Sequence, residues 1–503
     1  MTLRRLIIAA LAVVLLPAFG QAEQPADAHE AVRPVREGVL KLLPMESVTD
    51  HQITLGGRSL SYQATAGTLD IFGKDGNPVG ALYYTAYVAK DGGPNRPITF
   101  AFNGGPGAAS AYLHLGLVGP KILDFGSGRP DGATAKLVDN PQSWIAFTDL
   151  VLIDPIGTGW SRTVKADDAE GFYKSDADAQ VMAKAIALYT ARNHRSVSPK
   201  YLLGESYGGF RAVKVASALK DDQGIILSGA VMLSPFLDGR LLFDANEFPL
   251  GAALELPSLA AAQMERQGKF DEARQREAEQ FALGEYLTTL AGAPPVGEAA
   301  SRFYEKVSEW SGLPVSVVEK NSGFLANAYA KQRSESGSPV VASAYDAAFL
   351  TPDPFPEVAW QRSDDAILDG FTRAYGGAFA DYARNELNFR TDMTYSLLDG
   401  DISRKWEWGR HKGGSIQDAS VTSELRELLA INPSFRVLIA HGYSDVVTPY
   451  SASRYIVDHL PASLNGGRVA LKLYRGGHMF YTHDAERAAF AKDAEGFFTA
   501  GQP

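Results

Sequence analysis

From about residue 50 the chain runs as short apolar segments rich in Tyr, Ile and Val, separated by glycine-bearing polar turns. "SLSYQATAGTLDIF" and "VGALYYTAYVAK" predict two paired strands across the turn "GKDGN". "PITFAF" predicts a buried strand that ends at Asn103-Gly104-Gly105-Pro106-Gly107. Further buried strands are expected at Leu150 to Ile153, Tyr201 to Leu203 and Ile225 to Leu233. Helical patterns alternate with them. One opens at Ser175-Asp176-Ala177-Asp178, which reads as a capping box with carboxylates suited to a helix start. Another, Phe210 to Leu219, places Phe210, Val213, Ala216 and Leu219 on one face. Strands alternating with helices predict an α/β protein with a mostly parallel sheet covered on both sides.

The alternation stops after Leu242. Residues 243–390 read as mainly helical, with charged runs such as "FDEARQREAEQ" as solvated helix faces. Pro352, Pro354 and Pro356 cannot lie inside a helix and are expected in a connection. This stretch is expected to be an inserted cap. The α/β pattern returns over 391–503, with a helix around Ser423 to Leu429, strands Val437 to Ala440 and Val469 to Tyr474, and a closing helix from Ala488 through Phe498. The core is thus expected from 46–242 and 391–503.

The N-terminal end has a different pattern. Arg4 and Arg5 precede the apolar run Leu6 to Leu16, followed by Pro17 and small residues that include Gly20 and Ala22. This describes a secretory signal peptide over 1–22, too short in its apolar part for a bilayer span. Residues 23–45 are polar and proline-bearing, and read as a loosely ordered lead-in. The 503 residues contain no cysteine, which excludes disulfides, thiolate metal sites and a cysteine nucleophile. A net charge of −10 argues against nucleic acid as the main partner and offers no basic face to anionic membranes. Together these features predict an exported, periplasmic or secreted protein of bacterial type, without membrane insertion once the leader is removed. Oligomeric state is not legible.

Candidate chemistry enters at "YLLGESYGGF". Gly204-Glu205-Ser206-Tyr207-Gly208 follows an apolar strand and precedes an amphipathic helix, the setting of a tight turn that exposes a nucleophilic serine. Ser206 then needs a base, and the base a group to orient it. In a strand–turn–helix architecture of this kind the order is serine, acid, histidine. His478 follows the strand ending at Tyr474 in a glycine-backed loop, Gly476-Gly477-His478. His483 lies in the next polar turn, and His441 precedes the acid instead of following it. Asp445, in "HGYSDVVTP", stands just past the preceding strand and is the expected acid. "NGGPGAAS" lacks the Gly-Lys-Ser/Thr ending of a phosphate-cradling loop. No metal and no cofactor are expected.

"FNGGPGAAS", "NPQSW", "LIDPIGTGWS", "GESYGG", "GYSDVVTP" and "GGHM" occur in the order of the serine carboxypeptidase family of α/β-hydrolases, which the chain resembles over residues 98–240 and 420–480. The resemblance implies an α/β-hydrolase fold with a mainly helical inserted cap. It implies Ser206 as acylated nucleophile, His478 as general base and acid, and Asp445 as the partner that fixes the imidazole. The backbone N–H groups of Gly105 and Tyr207 would form the oxyanion hole. Asn103, Gly104 and Glu205 would recognise the free carboxylate at the end of a peptide substrate. The pattern departs from the family where a second glutamate is usual, at Leu117; Tyr443 replaces an aspartate, and no proline follows the histidine motif. The implied activity is therefore removal of C-terminal residues from peptides through an acyl-enzyme. An esterase or acyltransferase on the same scaffold stays open, as does a catalytically silent binding protein.

Overall fold

The computed structural model describes residues 36–126, 128–333, 337–358, 364–409 and 414–500. The expected leader, 1–22, lies outside them, as does most of the lead-in; from Arg36 onward the chain forms one compact unit.

The first apolar runs form strands β1 (Ser47–Leu55), β2 (Arg58–Phe72) and β3 (Pro78–Ala89), joined as an antiparallel meander. The β2–β3 turn closes where Gly73 N–H donates to the Asn77 carbonyl at 2.8 Å and Asp75 accepts from Asn77 N–H at 3.1 Å. Then come β4 (Ile98–Phe102), a two-stranded excursion β5 (Lys121–Asp124) and β6 (Lys136–Asp139), β7 (Asp149–Ile153), and the short β8 (Arg162–Thr163). After these lie β9 (Lys200–Glu205) and β10 (Gly229–Leu233). Small strands β11 (Lys331–Arg333), β12 (Pro339–Ala342) and β13 (Leu350–Pro352) form their own antiparallel sheet. The main sheet is completed by β14 (Arg436–Gly442) and β15 (Val469–Tyr474).

The main sheet has ten strands in the order β1-β2-β3-β7-β4-β9-β10-β14-β15, with β8 beside β3. It is mixed: β7 through β15 pair in parallel, and the β1–β3 edge is antiparallel. Side chains alternate between its faces with period two. Tyr201, Leu203, Val231, Leu233 and Leu438 enter one apolar cluster. Leu202, Ala230, Met232, Val437 and Ile439 enter the other. Helices Ser175–Arg192, Tyr207–Gln223 and Thr422–Ile431 cover the second face, and Asp484–Ala500 the first.

Several local expectations are corrected. β10 starts at Gly229, not Ile225. Ser175 is the first residue of its helix and not its cap, because its hydroxyl is drawn to the carbonyls of Glu407 and Trp408, both at 3.4 Å. Pro352 lies in β13, at a sheet edge where a missing N–H is tolerated. Within 243–390, helices Pro249–Arg266, Glu272–Phe281 and Glu298–Ser311 build a third apolar cluster around Leu256, Phe281, Val307 and Trp310. Phe371, Tyr375, Phe379 and Phe389 instead pack into the first face of the main sheet.

Candidate active site

β9 is wholly buried up to Glu205, and the chain then reverses sharply into the helix that starts at Tyr207. Ser206 sits at the reversal with φ 60° and ψ −125°, a strained backbone for a residue with a side chain. The turn is held by Ser206 N–H on the Leu233 carbonyl at 2.9 Å, and by its own carbonyl, which accepts from Gly209 and Phe236 N–H at 2.9 and 3.0 Å. A Cβ on Gly204 would lie 2.0 Å from the Gly208 carbonyl oxygen, so the flanking glycines are a steric requirement of the turn. The other close approach is Gly104, at the end of β4. A Cβ there would fall 2.6 Å from both the Glu205 oxygen and the Tyr207 nitrogen. The Gly104-Gly105 backbone therefore lies against the turn beside the Tyr207 N–H. As the first residue of its helix, Tyr207 has no intrahelical acceptor for that N–H.

Asp445 and His478 come together from the loops after β14 and β15. His478 Nδ1 is 2.8 Å from Asp445 Oδ2. The other Asp445 oxygen accepts N–H from Val447 and Thr448 at 2.9 and 3.0 Å. Thr448 Oγ1 lies 2.8 Å from Asp445 Oδ2, 3.1 Å from His478 Nδ1 and 2.9 Å from the Ser234 carbonyl oxygen. Burial opposes charge on His478, but the Asp445 carboxylate, by charge and hydrogen bond, and the charge of Glu205 leave its pKa raised overall. Ser206 is half-buried, while Asp445 and His478 are buried. Among the described hydrogen bonds none joins the Ser206 hydroxyl to His478. The link runs through the end of β10, where Leu233 accepts from Ser206 N–H and the hydroxyl of the next residue, Ser234, donates to the His478 carbonyl at 2.9 Å. Catalytic bonds of this type often tighten only around substrate.

The two competing histidines are placed elsewhere. His441 is fully buried behind Asp445, with Nε2 2.8 Å from Ser453 Oγ and Nδ1 4.0 Å from Asp445 Oδ2. Burial pushes its pKa down to about 4, so it stays neutral. His483 is exposed.

Glu205 and Asn103 meet beside the turn. Asn103 Nδ2 donates to Glu205 Oε2 at 2.5 Å, and Asn103 Oδ1 accepts from Leu113 N–H at 3.1 Å. The Asn103 carbonyl is held by Arg211, whose guanidinium also donates to the buried Asp178 carboxylate at 2.6 Å. Burial raises the Glu205 pKa to about 7 against the opposing influence of His478 and its two hydrogen-bond donors. The second donor is Tyr481, 2.9 and 3.0 Å from the two carboxylate oxygens. Leu117 is fully buried in the first apolar cluster and takes no part. Sequence reasoning missed Tyr481, although "GGHMFY" contains it. It also missed Thr448, whose Asp-x-x-Thr spacing was a usable signal for a local turn around the acid.

The segment 343–347 closes over both catalytic loops. The Tyr345 carbonyl accepts His478 N–H at 2.5 Å, and the Tyr345 ring stands edge-on to the imidazole with centroids 5.0 Å apart. Asp346 accepts from Ser444 Oγ at 2.6 Å, and Ala347 N–H donates to the Ser444 carbonyl at 2.9 Å. Tyr443, in the place of the usual aspartate, packs against Phe270 and Tyr450. A cavity of 820 Å³ lies next to the histidine loop. It is lined by Gly477 and Met479 on either side of His478, and by Gly116, Tyr345, Phe349 and Phe371, but by none of Ser206, Asp445 or His478.

A nucleophile turn after β9, an acid after β14 and a histidine after β15, all at the carboxyl ends of parallel strands, define an α/β-hydrolase. Residues 59–282 match the serine carboxypeptidase family. Similar proteins include serine carboxypeptidase-like 44 of Arabidopsis thaliana, 28% identical over 33% of this chain and 32% of that one. Serine-type carboxypeptidase F of Aspergillus niger is 28% identical over 35% of this chain and 31% of its own length. The matched stretch thus spans about a third of each relative. Among solved structures, KEX1(delta)p, a prohormone-processing carboxypeptidase of Saccharomyces cerevisiae, shares the fold at a TM-score of 0.53 and 14% identity, over 87% of this chain and 92% of that one. No helix among the described residues is long and apolar enough to cross a membrane.

Proposed function

We propose that this chain is a serine-type carboxypeptidase that releases C-terminal residues from peptides. Ser206 Oγ attacks the last peptide carbonyl while His478 takes its proton, and the imidazolium, oriented by Asp445, returns that proton to the leaving amine. The oxyanion of the tetrahedral intermediate faces the N–H groups of Gly105 and Tyr207. Water then hydrolyses the acyl-enzyme by the same proton route. One observation carries the choice of substrate: Glu205, adjacent to the nucleophile, is buried and bonded to Asn103. A carboxyl that burial keeps protonated into the neutral range can donate to a substrate carboxylate, with Asn103 and the Gly104 backbone as its companions.

The test compares one peptide with a free C-terminus and the same peptide amidated, across pH 4 to 8. Preference for the free acid, abolished in Ser206→Ala, supports the reading; equal cleavage of both sinks it. Leu117, buried where a second carboxyl is usual, favours an esterase or acyltransferase as the second reading. Rapid turnover of small esters without release of C-terminal amino acids would select it.

We read residues 243–390 as the cap inserted between the core segments 46–242 and 391–503, and residues 1–22 as an export leader. N-terminal sequencing of the exported protein, expected to start after Ala22, tests the leader; an intact Met1 would remove it.

A further inference from the structure

Among the described residues no second carboxyl hydrogen-bonds to Glu205, yet its carboxyl is not left half-held. Tyr481 is fully buried, and its hydroxyl spans both Glu205 oxygens opposite the Asn103 amide. Room for the ring comes from Gly116, next to Leu117: a Cβ there would lie 2.8 Å from Tyr481 Cε2 and 2.9 Å from the Tyr375 hydroxyl. The chain thus gives up a side chain at 116 and points Leu117 into the core, while a phenol arrives from the histidine loop. Tyr112 joins the same group of rings, 5.7 Å from Tyr375, and its hydroxyl is buried without a hydrogen-bond partner among the described residues.

Phenol and carboxyl differ in one decisive respect. Two adjacent carboxyls share a proton, and their binding power titrates away in two coupled steps. A buried phenol stays protonated: burial and the nearby Glu205 charge hold Tyr481 well above its usual value. Its proton therefore remains available to Glu205 across this range. The remaining groups that act on Glu205 are His478 and Asp445 from the loops after β15 and β14, with Tyr112, Tyr345 and Tyr375 close enough to feel its charge.

We propose that Tyr481 is the positioning residue for carboxylate recognition, replacing a second carboxyl so that Glu205 presents one proton to the terminal carboxylate of the substrate. This rests on the carboxypeptidase reading. Tyr481 and Asn103 fix the plane of the Glu205 carboxyl, and the single proton is free to face the substrate. Recognition then follows one ionisation and not two.

The experiment measures kcat and KM for the wild type and Tyr481→Phe over pH 4 to 8. One substrate is a peptide with a free C-terminus; the other is an N-acylated amino-acid methyl ester, which has no free carboxylate. Thermal melting of both proteins accompanies the kinetics. At pH 5 the variant should raise KM for the peptide about tenfold, the scale of one hydrogen bond to a charged or shared proton, with kcat within about twofold. KM for the ester should not move. The wild-type basic limb for the peptide should fit one ionisation, and it should move to higher pH in the variant, because the lost donor favoured the ionised carboxyl. Parallel changes for both substrates, or an unmoved limb and an unchanged KM ratio, would show a structural residue and overturn the proposal. A wild type that prefers the amidated peptide or ignores the free acid removes the carboxypeptidase reading itself, and is recognised before any variant is made.

Discussion

Two buried carboxyls stand at the same edge of the sheet and are held in opposite ways. Asp445 accepts from two backbone N–H groups, from the Thr448 hydroxyl and from His478, and all but the last belong to its own loop. Among the described residues Glu205 accepts only from side chains, Asn103 and Tyr481, which arrive from 102 residues before and 276 residues after it. The first carboxyl is locked by its own turn and has one task, to orient an imidazole. The second is starved of backbone donors, and burial raises its pKa to about 7. In the proposed reading, one site edge thus holds a fixed acceptor for the nucleophile's base and a proton-bearing group for the substrate.

Breaking the first arm should have the largest effect. Asp445→Asn keeps the shape but offers an amide to His478 Nδ1, which favours the wrong tautomer. A fall in kcat of about four powers of ten is expected, with KM little changed, from steady-state kinetics on either substrate class.

Neutralising the second arm should act mainly through pH. Glu205 has an ordinary value of 4.5 in the unfolded chain and about 7 in the fold. A raised folded value means its contribution to stability is complete below pH 4.5 and is lost as pH rises through 7. Glu205→Gln removes that loss. Denaturant unfolding should therefore show the variant gaining on the wild type by about 3 kcal/mol between pH 4 and pH 8. The Glu205 charge also helps to raise His478, so the acid limb of ester hydrolysis should move to lower pH in the same variant. A constant stability difference across this range would show that Glu205 is not the group that titrates.

The smallest expected change sharpens the contrast. Thr448→Val removes one of four donors to Asp445 and leaves the backbone pair in place. A stability loss of about 1 kcal/mol, with kcat lowered less than tenfold, is expected from unfolding and kinetic measurements. A loss as large as that of Asp445→Asn would mean that the hydroxyl, and not the backbone, holds the acid.

Much of this was legible because it is local. Strands β4, β7, β9 and β10 are short and fully buried, and the candidate residues follow the ends of β9, β14 and β15 within four positions. Ser206, Asp445 and His478 could be named from such windows, and the structure brings Asp445 and His478 into direct contact. Ser175 shows the limit of a local rule: its capping pattern is sound, but two carbonyls some 230 residues away take the hydroxyl. β12 and β13 were missed because strands of three or four residues are too short for a period to register.

Tyr345 and Tyr481 were invisible for a different reason. A tyrosine in an apolar stretch reads as core until its neighbour is known, and those neighbours come from other loops. The sequence by itself determined the alternation that makes the sheet, the glycines without which the Ser206 turn cannot close, and the order of nucleophile, acid and base, because steric and periodic constraints act within a few residues. Only the tertiary structure decided what surrounds Glu205. The donors and the degree of burial that set a carboxyl's proton affinity are properties of a packed site, and here they are assembled from segments hundreds of residues apart.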